Sequence, residues 1–222
     1  MEGGAYQISQ QFVRRGLFDQ LILGGCYMKS DWIFPKKIIW KQKFGTLEIA
    51  LTIIGAVLYG LGAFSTMNLA IGFITLRPFA FIAVLWGVLF GPWVGGLAAL
   101  IGNTFISDIL AGWFGIGGVG GALGNFAMAF IPGLLVSHPL NKKAIMLWGG
   151  LVGTLVCALF VGGWISLMGF APFMTLFSSV LICDIPPNLI LAPIVSGWLF
   201  NRVQKRGLYW RDRLEADKEE EE

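Results

Sequence analysis

Charged residues are scarce over most of this sequence. Only 13% of its 222 residues are Asp, Glu, Lys or Arg, whereas a soluble domain carries about 25%. Between residues 46 and 201 these types occur only at Glu48, Arg77, Asp108, Lys142, Lys143 and Asp184. So few charges cannot cover a water-exposed surface. The sequence therefore predicts an integral membrane protein, in agreement with its mean hydropathy of +0.73.

Several chemical motifs are also missing. The dipeptide Gly-Lys does not occur, which excludes a GxxxxGK[ST] loop for ATP phosphates. His138 is the single histidine, so the clustered ligands of a membrane metalloenzyme are not expected, and His138 is interpreted as an ordinary loop residue. There is no GxSxG nucleophile motif, and the three cysteines form no CxxC pair. We expect no metal, no cofactor and no nucleic-acid partner.

The apolar segments predict an all-α integral membrane protein, a bundle of six transmembrane helices. A span needs about 20 apolar residues, and only the second segment is clearly shorter; an alternative start for it lies within "LAIGFITL". Gly91 and Pro92 mark the tight turn into the third helix. The six predicted helices cover roughly residues 47–65, 78–91, 93–112, 117–136, 144–168 and 173–200.

Lysine and arginine give the orientation, because they collect in cytoplasmic loops. With six spans the basic loops all fall on one side, which predicts that both termini are cytoplasmic and that the protein lies in the cell membrane. The opposite side has only Arg77. The basic positions on the first side are Lys36, Lys37, Lys41, Lys43, Lys142, Lys143, Arg202, Lys205, Arg206, Arg211 and Arg213.

The chain thus divides into three predicted parts: a cytoplasmic or interfacial segment at 1–46, the membrane domain at 47–200, and a charged cytoplasmic tail at 201–222. Residues 1–27 have two interpretations. They form an interfacial helix, or translation starts at Met28, because Gly24 and Gly25 can be encoded by a ribosome-binding GGAGG sequence at a bacterial spacing before that codon.

Polar residues recur at similar depth inside the predicted helices. At about 1.5 Å per residue, Asn103, Asn125 and Asp184 fall near the middle of the membrane. Asn188 follows Asp184 by four residues and shares its face. Asp108 and Arg77 lie nearer the outer end. Intramembrane ionisable groups usually face a cavity or a partner.

Two interpretations of this cluster remain open. In one, Arg77 and Asp108 form a structural ion pair and the asparagines bond between helices. In the other, which we favour, the cluster lines a binding cavity, and Pro186 and Pro187 break the sixth helix beside it. Trp113 and Trp164 are either interfacial belt residues or walls for a flat ligand.

The first helix carries small residues four apart, Ala56 and Gly60. A small-xxx-small face permits close contact between helices. It serves either for internal packing or for docking to another membrane subunit.

These features together resemble the substrate-binding S components of energy-coupling-factor (ECF) vitamin transporters. The likeness covers residues 47 to about 200. It rests on the six short helices, on Ala56-Val-Leu-Tyr-Gly60, on the FGPxxG turn in "RPFAFIAVLWGVLFGPWVGGLAALIGNTFISD", and on "GALGNFAMAFIPGLL".

The resemblance implies a protein that binds a vitamin or related micronutrient from outside and is not an enzyme. Its partners would be a membrane coupling subunit and two cytoplasmic ATPase subunits. The loop "STMNLAIGFITLR", closed by Arg77, would cap the site. The residues expected to bind substrate are Arg77, Asn103, Asp108, Trp113, Asn125, Trp164, Asp184 and Asn188. The residues expected to dock the partner are Ala56 and Gly60.

The sequence also allows two other functional classes. A self-sufficient secondary transporter or channel often shows internal repeats, and none is found. A small membrane enzyme could use Asp108 and Asp184 as acid and base, but no third motif supports it.

Overall fold

Apolar helices account for most of the computed structural model, which describes residues 33, 38–66, 70–71 and 74–219. The interpretations of residues 1–27 and of a start at Met28 lie outside the described residues. The elements are α1 (Thr46–Ser65), β1 (Ala70–Ile71), β2 (Ile74–Thr75), α2 (Phe81–Phe90), α3 (Pro92–Ile101), α4 (Phe114–Leu135), α5 (Lys142–Leu167), α6 (Phe173–Lys205) and α7 (Trp210–Glu219).

Four of these helices are long and apolar enough to cross a membrane, among the residues that the structure describes. They are α1, α4, α5 and the helical stretch Phe173–Ala216, which contains α6. Large apolar side chains on their outer faces are exposed, for example Ile53, Leu123, Leu159 and Ile190. Such a surface is unfavourable in water and suits lipid. The protein is therefore a helical, multi-pass membrane protein.

The two remaining apolar helices are shorter. A 3₁₀ turn, Pro78–Ala80, leads into α2, so the segment starts at residue 78 and the alternative start within "LAIGFITL" is wrong. The latter stretch contains β1 and β2, which pair antiparallel. Most of α2 is buried, including Val84 and Leu89 at 0% exposure. A helix surrounded by protein does not need the length of a lipid-facing one.

Glycines let α2, α3 and α4 approach closely. Gly91, with φ +105°, forms the turn between α2 and α3, as the sequence predicts. A Cβ on Gly87 of α2 would lie 2.0 Å from the carbonyl oxygen of Ala129 in α4. One on Gly95 of α3 would lie 2.4 Å from the backbone of Gly87. Larger residues would force these helices apart.

The ends of several elements meet at one end of the bundle. Gln42 donates to the Phe90 carbonyl at 2.7 Å, next to the α2–α3 turn. Arg211 of α7 donates to the Val136 carbonyl at 3.0 Å, at the end of α4. The ring of His138 packs edge-on against Phe200, and burial lowers the pKa of His138. We call this region the α7 end.

The residues on either side of position 200, the predicted start of the charged tail, pack together. Helix α6 continues to Lys205, and Tyr209 and Trp210 are buried in a cluster with Leu51, Leu89 and Phe200. Leu214 of α7 also packs against this cluster, so the first turns of α7 lie on the bundle instead of extending into solvent.

A salt bridge ties α7 to the start of α1. Arg213 contacts the carboxylate of Glu48, which is 8% exposed. The second carboxylate oxygen accepts from the amide of Gly45 at 2.9 Å, which caps the first turn of α1. The sequence shows both charges but cannot show that they meet.

Candidate functional site: a buried polar network

Arg77 stands at the centre of the polar residues predicted above. It follows β2 and precedes the 3₁₀ turn, so its side chain can reach back into the bundle from the α1–α2 connection. The same nitrogen, Nη2, donates to Asn103 Oδ1 at 2.6 Å and to Tyr59 Oη at 3.1 Å. One guanidinium thus joins the α1–α2 connection to α1 and to the end of α3.

Asn103 bridges Arg77 to Asp108. Its Nδ2 donates to Asp108 Oδ2 at 3.1 Å. The two residues are five apart and lie in a π-helical segment, Gly102–Asp108. The wider π turn brings residues i and i+5 near the same face, which an ordinary α-helix would not do. The predicted ion pair of Arg77 and Asp108 is therefore mediated by an amide.

The glycine-rich start of α4 leaves room for these side chains. A Cβ on Gly117 would lie 2.5 Å from Asp108 Oδ2, and one on Gly121 would lie 3.3 Å from Asn103 Nδ2. Gly118 has φ +23° and ψ −128°, so the backbone leaves helical geometry between these two positions. A residue with a side chain at Gly118 would be strained.

Tyr59 belongs to the site although the sequence analysis did not select it. Its hydroxyl accepts from Arg77 and donates to Asn125 Oδ1 in a short hydrogen bond. Asn125 Nδ2 in turn donates to the Gly121 carbonyl at 2.8 Å. Both side chains are 1% exposed. A signal was present: a tyrosine within an apolar helix usually needs a hydrogen-bond partner.

Asp184 and Asn188 lie on the same face of α6, both at 0% exposure. Asn188 Nδ2 donates to Thr154 Oγ1 of α5 at 2.9 Å and lies 3.4 Å from Met128 Sδ. Asp184 lies within electrostatic range of Arg77. Both oxygens of Asp184 and Oδ1 of Asn188 lack a hydrogen-bond partner among the described residues.

The expected break in the sixth helix is wrong. Helix α6 runs from Phe173 to Lys205 through Pro186 and Pro187. Each proline removes one backbone donor, but packing on both sides holds the helix together. Burial of the side chains on α6, and not an interruption of its backbone, places Asp184 inside the bundle.

The two tryptophans predicted to contact substrate, Trp113 and Trp164, lie in different surroundings. Trp164 is half-buried. A Cβ added to Gly120 would lie 2.2 Å from the Cβ of Trp164, and one added to Gly118 would lie 3.5 Å from the Trp164 Nε1. The Trp164 ring therefore lies against the start of α4. Its Nε1 has no partner among the described residues. Trp113 is 50% exposed at the start of α4. Its backbone amide donates to the carbonyl oxygen of Asp108 at 2.8 Å, so Trp113 borders the network at its exposed side, and its contact with substrate stays a prediction.

The small face of α1 serves internal packing. A Cβ on Gly60 would lie 2.5 Å from the Gly102 carbonyl oxygen, and one on Gly102 would lie 2.5 Å from the Ala56 carbonyl oxygen. Both Ala56 and Gly60 are buried. The predicted docking role of these two residues is therefore wrong, because α3 covers the face.

The network could bind a ligand through the carboxylate and amide oxygens that have no hydrogen-bond partner among the described residues. It holds two carboxylates, one guanidinium and several amides in a low-dielectric interior, where each hydrogen bond is strengthened. Among the described residues no group of three His, Cys, Asp or Glu could hold a metal ion.

Comparisons with known proteins find uncharacterised families. A model described as "Family of unknown function (DUF8171)" matches residues 50–206, more than half of the chain. A UPF0397 protein of Vibrio atlanticus (strain LGP32) is 29% identical over 187 residues, covering 79% of this chain and 100% of the relative. UPF0397 proteins of Aliivibrio fischeri strains MJ11 and ATCC 700601 / ES114 are each 28% identical over 172 residues, covering 71% of this chain and 90% of theirs. No solved structure matches.

Proposed function

The chain belongs to DUF8171, a family of unknown function, and we propose that it is the substrate-binding S component of an ECF-type transporter for a vitamin or related micronutrient. In this proposal the buried polar network forms the binding site. The observation that carries it is the reach of Arg77 from the α1–α2 connection to Asn103 and Tyr59. A connection anchored to the site by a charged residue can act as its cap.

The contacts of that connection support the capping role. Strand β2 lies against α6, the helix that carries Asp184 and Asn188. Release of the Arg77 hydrogen bonds would free the connection and expose the network at the end opposite α7. Binding from the outer face would then need a small local movement.

A topology with six spans and both termini in the cytoplasm belongs to the same proposal. The start of α1 and the final helix α7 meet through Glu48 and Arg213, which favours an even number of crossings. Lysine and arginine of the α4–α5 loop and of the α6 terminus lie at this α7 end, as the rule for cytoplasmic loops requires. The two shorter helices, α2 and α3, would then complete the six.

The partners proposed are a membrane coupling subunit and two ATPase subunits. The chain has no phosphate-binding loop, so an energy-driven uptake system needs ATPases on separate chains. The docking surface for the coupling subunit is not the Ala56–Gly60 face, which is covered.

Affinity purification from the native host tests this function. We expect a tagged chain, solubilised in mild detergent, to retain two proteins with phosphate-binding loops and one further membrane protein in fixed stoichiometry. Reconstituted complex should take up substrate only with ATP. An Arg77→Gln variant should still assemble but should lose uptake, because its cap is released.

Opposite outcomes would contradict the proposal. ATP-independent transport by the isolated chain in liposomes would identify a self-sufficient transporter or channel. Turnover of a substrate by the isolated chain, lost in Asp108→Asn and Asp184→Asn, would identify an enzyme.

A further inference from the structure

Asp184 is a buried carboxylate to which no described residue donates a hydrogen bond. Its side chain is 0% exposed, and neither oxygen has a partner among the described residues. Nearly all buried polar groups in proteins are hydrogen-bonded, so an exception needs an explanation. Removal of a carboxylate from water is unfavourable unless a cation or several donors compensate it. Such a group points to a ligand that supplies the missing donors.

Asn188 adds a third acceptor on the same face of α6. Its Nδ2 is engaged with Thr154 and Met128, which fixes the amide orientation and leaves Oδ1 unpartnered. Residues four apart on a helix are neighbours. Helix α6 therefore presents three oxygen acceptors in the bundle interior, and a complementary ligand must bring N–H or O–H donors.

The local charge balance indicates the sign of that ligand. Arg77 interacts electrostatically with both Asp108 and Asp184. Its hydrogen bonds from Nη2, however, go to Asn103 and Tyr59. Two carboxylates and one guanidinium leave one negative charge uncompensated in this part of the described structure. A ligand with one positive charge would balance it.

The oxygen atoms available on α6 favour an organic cation over a metal ion. Divalent metal ions such as Ca²⁺ take six or more oxygen ligands, usually including several carboxylates. Asp184 and Asn188 supply three oxygens, and the described residues contain no cluster of three metal-ligating side chains. A flat amidinium or protonated amine matches two adjacent acceptors better, since it donates in a fork to a carboxylate.

We propose that this site takes a small molecule with a positively charged nitrogen group, which donates hydrogen bonds to Asp184 and Asn188. The inference rests on the proposed function, because it names the substrate class of the same site. It requires that Asp184 be ionised when the molecule binds. An asparagine at this position, which mimics the neutral acid, should then bind poorly.

Three probes of equal size and different charge test the inference. Benzamidine is cationic, benzamide neutral and benzoate anionic, and all are planar. Ligand-observed NMR detects their binding to the full chain in detergent, even at millimolar Kd. We expect benzamidine to bind wild type at least tenfold more tightly than benzamide or benzoate. Asp184→Asn should weaken benzamidine binding at least tenfold. The control Asp212→Asn, which removes an exposed carboxylate of α7, should not.

The outcomes separate this inference from the proposed function. Tighter binding of benzoate, no binding of any probe, or unchanged benzamidine affinity in Asp184→Asn would overturn the inference even if the ATPase complex assembles. A preference for benzamidine that depends on Asp184 would uphold it even if no ATPase co-purifies, and the proposed function alone would then be wrong.

Discussion

Arg77 Nη2 donates a 2.6 Å hydrogen bond to Oδ1 of Asn103, and this contact joins the α1–α2 connection to the π-helical end of α3. The side-chain amide of Asn103 in turn donates a hydrogen bond to Oδ2 of Asp108. The guanidinium of Arg77 is thereby linked to the carboxylate of Asp108 through an amide. Because hydrogen bonds to charged groups contribute about 1.5–3 kcal/mol each, the connection is anchored more strongly than its short strands alone would allow.

Tyr59→Phe should destabilise the protein by about 1–3 kcal/mol. The change removes a hydroxyl that accepts from Arg77 and donates to Asn125, and it leaves Asn125 Oδ1 buried without a donor. Unfolding in mixed detergent measures the effect. Thr52→Val, at the other end of α1, removes a hydroxyl that bonds only a backbone carbonyl and should cost less. Equal losses of stability in the two variants would show that the Tyr59 hydroxyl contributes no more than an ordinary side-chain hydrogen bond.

Gly60→Leu should disrupt the packing of α1 on α3. The new side chain would start 2.5 Å from the Gly102 carbonyl oxygen and 2.6 Å from Ile106 Cβ, and overpacking costs about 1–3 kcal/mol or more. Binding and stability should fall together, because the polar network depends on these helices. Gly197→Ala is the control, since nothing lies within 4 Å of its Cβ position. A stable Gly60→Leu protein that loses only its partner subunit would restore the docking role.

Glu48→Gln should loosen α7 from the start of α1. It breaks the salt bridge to Arg213. The side chains of Glu48 and Arg213 are 10% and 23% exposed. The expected loss of folding free energy, about 1–3 kcal/mol, therefore lies between the values for exposed and for buried salt bridges. Hydrogen exchange of the backbone amides in α7 should rise. Glu48→Gln combined with Arg213→Gln should cost less than the sum of the single changes. Additive costs would show that the two groups are not coupled.

Asp184→Asn should raise the melting temperature of the ligand-free protein. The change removes a buried carboxylate. Among the described residues neither this group nor Asn188 Oδ1, one turn away, has a hydrogen-bond partner, and the new amide can donate to that oxygen. A shift of a few degrees is expected, about 1 kcal/mol. Asn125→Ala should lower the melting temperature, because it deletes hydrogen bonds that the structure contains. A lower melting temperature for Asp184→Asn would indicate that this carboxylate is satisfied in the folded protein.

The membrane class and the positions of the apolar helices follow from local features of the sequence. Their starts agree with the structure within a few residues, from Thr46 in α1 to Phe173 at the start of α6. The predicted third helix, 93–112, instead ends as α3 at Ile101 and continues as the π-helical segment Gly102–Asp108. The reason is local: hydropathy, Gly91 with Pro92, and the scarcity of charge act within single segments. The sequence also singled out Arg77 and Asn103, because charged and amide groups in apolar runs are conspicuous.

Which side chains meet, and which helix faces are covered, depends on how the helices pack against one another. The contact of Tyr59 with Asn125 and the burial of Trp210 in one cluster with Leu51 join residues far apart in the chain. The π register that brings Asn103 to Asp108 is local, but hydropathy does not distinguish it from an ordinary α-helix. The Ala56–Gly60 face fits internal packing or docking equally well by composition, and the position of Gly102 decided between them. Helix periodicity shows which residues share a face, but not which neighbour that face will contact, because packing is a relation between helices.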